Sequence, residues 1–148
     1  MRIELDPTAE TPLYQQLHDR VIDAVARGEL RAGDALVSVR QLAVRFGINT
    51  ATVVKAYDAL RQEGIVRTSR RSGSVIARDP DSGPADERFV AGWAERLSEL
   101  IAEGIAHGVP QSELEARTAA IATSFAQARA AAPGPDAASV REQRGITP

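Results

Sequence analysis

Residues 36–64 read LVSVRQLAVRFGINTATVVKAYDALRQEG, and this stretch decides the fold. Ser38 and Asn49 are residue types that commonly cap helix N-termini, while Gly47 and Gly64 are typical of positions just after a helix ends. The spacing predicts two short helices separated by a turn of about three residues, which is the layout of a helix-turn-helix. The apolar residues at helical spacing are Val39, Leu42, Ala43 and Phe46 in the first helix, and Val53, Ala56, Tyr57 and Leu60 in the second.

The flanking segments complete a winged domain. Before the quoted stretch, apolar residues recur every four positions from Leu13 to Val25, which predicts a further helix that ends near Gly28. Gly33 and Asp34 predict a turn. After Gly64, two short runs at residues 65–68 and 74–77 are suited to strands, and the turn between them at residues 69–73 is basic. We therefore expect a β-hairpin with a basic tip.

The second half of the chain predicts two longer helices. Phe89, Trp93, Leu97, Leu100 and Ile101 line one side of the first, which should end near Gly108 and Pro110. Ser112 and Glu115 have the spacing of a capping box that would open the second helix. Its apolar stripe consists of Leu114, Thr118, Ile121, Phe125 and Ala128.

These elements predict a mainly α fold with a small β-hairpin, in which an N-terminal winged helix-turn-helix is followed by a two-helix dimerisation hairpin. The predicted domains are residues 1–79 (DNA binding), 80–84 (linker), 85–131 (helical hairpin) and 132–148 (flexible tail). Two amphipathic helices alone bury little apolar surface, so we expect their stripes to meet a second copy of the chain. The residues assigned to this contact are Phe89, Trp93, Leu97, Leu100, Ile101, Leu114, Ile121 and Phe125.

Composition excludes several classes of protein. The 148 residues are 43% hydrophobic and 26% charged, as in ordinary globular domains, and leave no room for a large enzyme. No apolar run approaches the roughly 18 residues of a membrane span, so we expect a cytoplasmic protein without membrane contact. With no cysteine and two distant histidines, His18 and His107, we expect neither metal nor cofactor. No set of nucleophile, base and acid can be placed, which argues against catalysis.

Charge is distributed unevenly along the chain. Residues 38–78 contain eight basic and two acidic side chains, a balance of +6, whereas residues 80–148 contain six arginines and ten acids, a balance of −4. A basic segment beside an acidic one favours a polyanion-binding N-terminal part, although a merely solvated surface would have the same composition.

Several motifs occur together in a fixed order: residues 12–17 (PLYQQL), the glycine turn at 28–34, residues 36–43 (LVSVRQLA), residues 53–64, and the wing. This set resembles the GntR family of bacterial transcription regulators over roughly residues 12–77. The short C-terminal part is similar to the YtrA-like subgroup, since other subgroups carry C-terminal domains too large for the residues after Pro84. The resemblance implies a homodimeric repressor of its own or a transporter operon, which binds an inverted repeat in double-stranded operator DNA.

Candidate DNA-binding residues lie at three places. The start of the third helix presents Asn49, Thr50, Ala51 and Thr52 to base edges, with Lys55 facing phosphate or guanine, although Asn49 could equally be only a cap. Ser38 and Arg40 open the preceding helix, where hydroxyl, amides and guanidinium can hold phosphate.

The third place is the wing. Arg70 and Arg71, with Ser72 and the turn residue Gly73, resemble the family's minor-groove contact; each arginine could instead be simply solvated. Tyr57 should mainly pack, but its hydroxyl is included as a candidate phosphate contact.

The chain departs from the family at Val37, a position usually held by proline, and at Thr50 and Ala51, where larger polar residues are common. The first change should loosen the entry to the second helix, and the others leave base preference open. Two alternative functions remain: a winged-helix module that binds a protein partner, and a regulator that senses an unidentified small-molecule effector between the C-terminal helices. The side chains considered for such a pocket are Phe89, Trp93, Ile121 and Phe125.

Overall fold

A computed structural model describes residues 4–132 of the chain. Over this range it confirms the mainly α fold with one small antiparallel hairpin. The tail predicted for residues 132–148 lies outside the described residues, apart from Ala132. The elements, in chain order, are α1 (Leu13–Ala26), α2 (Val39–Phe46), α3 (Thr50–Gln62), β1 (Val66–Ser69), β2 (Gly73–Ile76), α4 (Glu87–Ala106) and α5 (Gln111–Ala131).

Local side-chain chemistry fixes the ends of the helix-turn-helix. The Ser38 hydroxyl accepts the N–H of Gln41 at 3.3 Å, and the Asn49 side-chain oxygen accepts the N–H of Ala51 at 2.8 Å. Gly47 ends α2 in the left-handed conformation (φ +62°), where a side chain would be strained. Both caps and this stop are therefore confirmed.

One hydrophobic core lies between α1, α2, α3 and the hairpin. Its buried members all come from residues 17–76, and neither α4 nor α5 contributes a buried side chain. The winged domain thus contains a complete core of its own. The largest side chains buried almost completely are Leu17, Val21, Leu42, Val53, Tyr57, Leu60 and Ile76.

The hairpin is displaced by one residue from the prediction. Its strands pair from Val66 with Ile76 to Ser69 with Gly73, rather than covering residues 65–68 and 74–77. Ile65 is outside β1 because its N–H bonds to the Leu60 carbonyl at 3.0 Å and closes the end of α3. At the other end, the pairing of Ser69 with Gly73 makes the tip shorter than predicted, with three residues between the strands.

An extended segment that sequence analysis missed pairs with the other edge of β2. Ile76 donates to the Asp34 carbonyl at 2.9 Å and Leu36 donates to the Ser74 carbonyl at 2.8 Å, on either side of a bridge between Ala35 and Val75. Because Leu36 lies just before the cap of α2, this pairing brings the start of α2 to the tip half of the hairpin.

A polar bridge joins α1 to the end of α3. The Nε2 atom of His18 lies 2.9 Å from a carboxylate oxygen of Glu63, and its Nδ1 atom lies 2.8 Å from Asp19. The ring is only 14% exposed. Burial lowers the pKa of His18, but the hydrogen bonds to both carboxylates outweigh it and raise that pKa above its usual 6.5. When the ring is protonated, its ion pair with Glu63 ties α1 to the end of α3.

The helices α4 and α5 form the predicted hairpin. They approach closely at Gly104, where an added Cβ would lie 2.9 Å from a methyl carbon of Leu114. The predicted capping box is wrong: α5 begins at Gln111 with extended Pro110 before it, so Ser112 already lies inside the first turn. None of the helices within residues 4–132 is long and apolar enough to cross a membrane.

Candidate nucleic-acid interface

Hydrogen bonds on residues 36 and 37 bring the three predicted contact elements together. The N–H of Leu36 is bound to β2, and the carbonyl of Val37 accepts the hydroxyl of Tyr57 in α3 at 2.7 Å. The next residue, Ser38, begins α2. The start of α2 is therefore held between α3 and the wing, as a composite DNA-binding surface requires.

The start of α2 can bind an anion. The Ser38 hydroxyl caps the amide of Gln41, whereas the amides of Val39 and Arg40 make no hydrogen bond to another described residue. No acidic residue lies in that turn. Arg40, the second residue of α2, is exposed and forms no ion pair with any residue between 4 and 132. The amides and the guanidinium can thus act on one phosphate.

The start of α3 is accessible from outside the domain, and its role in base reading stays a prediction. Thr50 and Ala51 are exposed, whereas Thr52 is half-buried. The cap interpretation of Asn49 is confirmed, because its side-chain oxygen accepts the N–H of Ala51, while its amide nitrogen makes no hydrogen bond to another described residue. A cap residue of this kind can still donate to a base edge.

Val54 is a residue that sequence analysis missed. It lies one turn after Thr50 on the outer side of α3, and it is 42% exposed although it is apolar. The sequence does hint at this position, because Val54 is apolar but does not share the helical spacing of the core-facing residues Val53, Ala56 and Tyr57. Two methyl groups at this position can contact the methyl group of thymine.

Lys55 is engaged within the free protein. Its Nζ atom lies 3.8 Å from the centroid of the Tyr14 ring, a cation–π contact between α3 and α1. To reach phosphate or guanine, as predicted, the ammonium group would have to leave this ring. Sequence analysis gave no reason to pair the two residues.

The assignment of Tyr57 to DNA contact is wrong. Its side chain is 1% exposed, and burial raises the pKa of its hydroxyl to about 12. DNA cannot reach a group enclosed between α2 and α3. The hydroxyl instead donates to the carbonyl of Val37. This bond restrains the entry to α2, which the replacement of the usual proline by Val37 was expected to loosen.

The wing tip exposes Arg70, Arg71 and Ser72, and Gly73 adopts a φ of +70° that suits glycine. Neither tip arginine pairs with a carboxylate among the described residues. Arg61 attaches the hairpin to α3, since it pairs with Asp58 and donates to the Ser74 hydroxyl at 3.3 Å. The tip is therefore a cationic loop on an anchored base.

Arg78 does not belong to this surface, although it contributes to the +6 balance. Its guanidinium donates to the carbonyls of Gly83 and Pro84 at 2.5 and 2.6 Å. This arginine orders the chain between the winged domain and α4.

The residues predicted for dimerisation are only partly covered by the rest of the described chain. Leu97, Ile101, Leu114 and Phe125 are half-buried. Phe125 packs against Arg27 of its own chain, with the guanidinium carbon 4.7 Å from the ring centroid. An effector pocket lined by Phe89, Trp93, Ile121 and Phe125 stays a prediction. The exposed members of the predicted set are Phe89 (57%), Trp93 (49%), Leu100 (65%) and Ile121 (60%).

Comparison with known proteins gives consistent results. Residues 13–76 match the family described as bacterial regulatory proteins, gntR family. The HTH-type transcriptional repressor YtrA of Bacillus subtilis is 33% identical over 112 residues, which cover 76% of this chain and 85% of that protein.

Two solved structures are also similar. One, described as a transcriptional antiterminator from Listeria monocytogenes, is 25% identical with a TM-score of 0.75, over 84% of this chain and 92% of its own. The other, YtrA from Sulfolobus acidocaldarius, a GntR-family transcription factor, is 33% identical with a TM-score of 0.57, over 70% of this chain and 97% of its own.

Proposed function

Since this chain belongs to the gntR family of bacterial regulatory proteins, and within it resembles YtrA, we propose that it is a homodimeric repressor that reads an inverted repeat in operator DNA. It is a DNA-binding transcription regulator. Our proposal concerns which residues bind DNA, the assembly into a dimer, and the regulated genes. The target is its own operon or one that encodes a transporter.

The observation that carries the proposal is the grouping of three exposed elements around residues 36–38. Arg40 and the amides of α2 bind phosphate, the start of α3 enters the major groove, and Arg70 and Arg71 reach an adjacent groove. Phosphate contacts set the position of the domain, while Thr50, Ala51 and Val54 read bases.

The apolar residues left exposed on α4 support the dimer. Phe89, Trp93 and Leu100 are each about half exposed or more, in helices that bury no side chain within the protomer. Contiguous apolar exposure of this kind marks an interaction surface, and a two-fold related copy presents the same surface without any further sequence requirement. We assign the hairpin to dimerisation on this ground.

Selection of binding sites from random double-stranded DNA by the full chain tests the proposal. We expect an inverted repeat whose half-sites lie about one helical turn apart. If no sequence is enriched and binding to DNA does not weaken with salt, the alternative of a protein partner becomes the better one.

Fluorescence anisotropy then tests the phosphate contact. Arg40→Ala should weaken binding about tenfold or more on every sequence, with thermal stability nearly unchanged, because the exposed guanidinium makes no ion pair before DNA arrives. Arg88→Ala, which removes an exposed arginine from α4, is the matched control. Equal affinities for the two variants would remove Arg40 from the interface.

A further inference from the structure

The end of α5 returns to the winged domain and contacts the end of α1. The guanidinium of Arg27 lies over the ring of Phe125, with 4.7 Å between its central carbon and the ring centroid. Arg27 is itself held by Asp23, whose carboxylate accepts its Nε–H at 2.8 Å. The cation is therefore already oriented when the ring packs beneath it.

A second contact lies one turn further along α5. The guanidinium of Arg129 donates to the carbonyl of Ala26 at 3.4 Å. Ala26 is the last residue of α1, where carbonyls lack helical partners and the helix dipole is negative. A cation placed there is favourable for both reasons.

Gly28 lies beside the last turn of α5, at ordinary van der Waals distance. It has a φ of +75°, and a Cβ built on it would lie 3.5 Å from side-chain carbons of both Arg129 and Ala132. The backbone after α1 is thus close to the last turn of α5. We call the contacts of Phe125 with Arg27 and of Arg129 with Ala26 the α5 latch.

The covalent connection between the two parts is anchored beside the latch. The carboxylate of Asp79 accepts the N–H of Ala32 at 2.8 Å and the hydroxyl of Ser82 at 2.7 Å, and both bonds lower the pKa of Asp79. The winged domain is consequently joined to the hairpin at two points, one through the chain and one through the latch. Two separate attachments restrict rotation, which a single flexible connection would allow.

We propose that the α5 latch sets the orientation of each winged domain on its hairpin, so that Phe125 and Arg129 determine which spacing between half-sites the dimer accepts. This inference rests on the proposed function, since the hairpins must hold the dimer. With the hairpins fixed to each other, the angle at each latch determines the separation of the two α3 helices. Neither latch residue touches DNA, and both act as positioning residues.

The test uses inverted repeats whose half-site separation is shortened or lengthened by one and two base pairs. Wild type, Phe125→Ala and Arg129→Ala are titrated against each repeat and against a single half-site. Contacts of this strength change the ratio of two orientations by a factor of about 5 to 30. Wild type should therefore bind the repeat of best spacing about 5 to 30 times more tightly than the others, and both variants should lose most of this preference. Affinity for the single half-site should stay unchanged in both variants. The dimer mass should stay unchanged in Arg129→Ala, which alters no residue of the predicted dimer contact.

Two further variants separate the latch from general effects of substitution. Phe125→Trp preserves a ring beneath Arg27 and should preserve the preference. Arg117→Ala removes an arginine from α5 whose side chain is 72% exposed and, among residues 4–132, pairs with Glu113 alone. It should behave as wild type.

A measurement without DNA complements the titrations. The chain has no cysteine, so Thr68→Cys in β1 places one spin label on each wing of the dimer. Pulsed electron paramagnetic resonance should give a narrow wing-to-wing distance distribution with the latch intact and a broad one after Arg129→Ala, which leaves the predicted dimer contact unaltered. Unchanged distances together with an unchanged spacing preference would overturn the latch alone. A wild type that is monomeric, or that binds a repeat no better than a half-site, would overturn the proposed function and the latch with it.

Discussion

Tyr57→Phe removes one atom from the folded domain, the hydroxyl that donates to the Val37 carbonyl at 2.7 Å. The ring is 1% exposed and stays in the core, so packing is preserved. A net hydrogen bond contributes about 0.5–1.5 kcal/mol to the free energy of unfolding. Val37 is 37% exposed, so water can replace the lost donor, and we expect a loss of about 0.5–1 kcal/mol.

The assay is urea unfolding of the full chain, followed by circular dichroism, with Tyr14→Phe as the matched control. The Tyr14 hydroxyl makes no hydrogen bond to another described residue, so its removal should be nearly neutral. For a winged domain of this size the expected loss lowers Tm by about 2–8 °C. Because the bond also holds the start of α2, Tyr57→Phe should weaken DNA binding although Tyr57 is buried.

Alkaline pH gives a second test of the same residue. Burial raises the pKa of Tyr57 to about 12, above the ordinary value of 10. A raised pKa means that its contribution to stability is complete below pH 10 and is lost as the pH rises from 10 through 12. Wild type should therefore lose its advantage over Tyr57→Phe in that range. A stability difference that is absent at pH 7, or that does not change between pH 10 and 12, would refute this account of the Tyr57 hydroxyl.

Three other predictions concern different parts of the molecule. Because the pKa of His18 is raised, its bridge to Glu63 stabilises the fold below pH 6.5, and this contribution is lost as the pH rises through the folded pKa. The free energy of unfolding of wild type should therefore exceed that of Glu63→Gln by more at about pH 5.5 than at about pH 9, and an equal difference at both pH values contradicts this. Truncation after Pro84 should leave a folded monomer with about 10²- to 10⁴-fold weaker operator binding, measured by light scattering and titration, whereas a dimeric fragment of full affinity would exclude the hairpin as the dimerisation element. Val54→Arg should introduce guanine into the selected half-site, and an unchanged consensus for Val54→Arg and for substitutions at Thr50 would mean that α3 does not read the bases.

The helices of the winged domain could be predicted from sequence because their end signals are local. Ser38, Asn49 and Gly47 act within a few residues of their own position, and the structure places all three as predicted. The segment at residues 33–36 could not be found in this way. Its pairing with β2 joins residues some forty positions apart, and the turn signals of Gly33 and Asp34 gave no sign of it.

The errors at Tyr57 and Ser112 have a common cause. Each residue type can play two roles, and the choice depends on what surrounds it. Its position on the helix predicted to enter DNA makes Tyr57 a candidate for phosphate contact, but its hydroxyl donates to the Val37 carbonyl. Ser112 had the spacing of a capping box, but the extended conformation of Pro110 started the helix before it.

The exposed apolar face of α4 lies on a different part of the chain from the candidate DNA-binding surface, and this allows the two to be followed separately by fluorescence. Trp93 is the only tryptophan of the chain and lies on α4 with 49% of its surface exposed, whereas the winged domain that meets DNA contains none. In the proposed dimer a second copy covers α4, so the emission of Trp93 should shift to shorter wavelength on assembly and should change little when DNA binds. Labelled DNA reports the other event at a different wavelength. The protein therefore carries an intrinsic optical probe that separates assembly from DNA binding in a single titration.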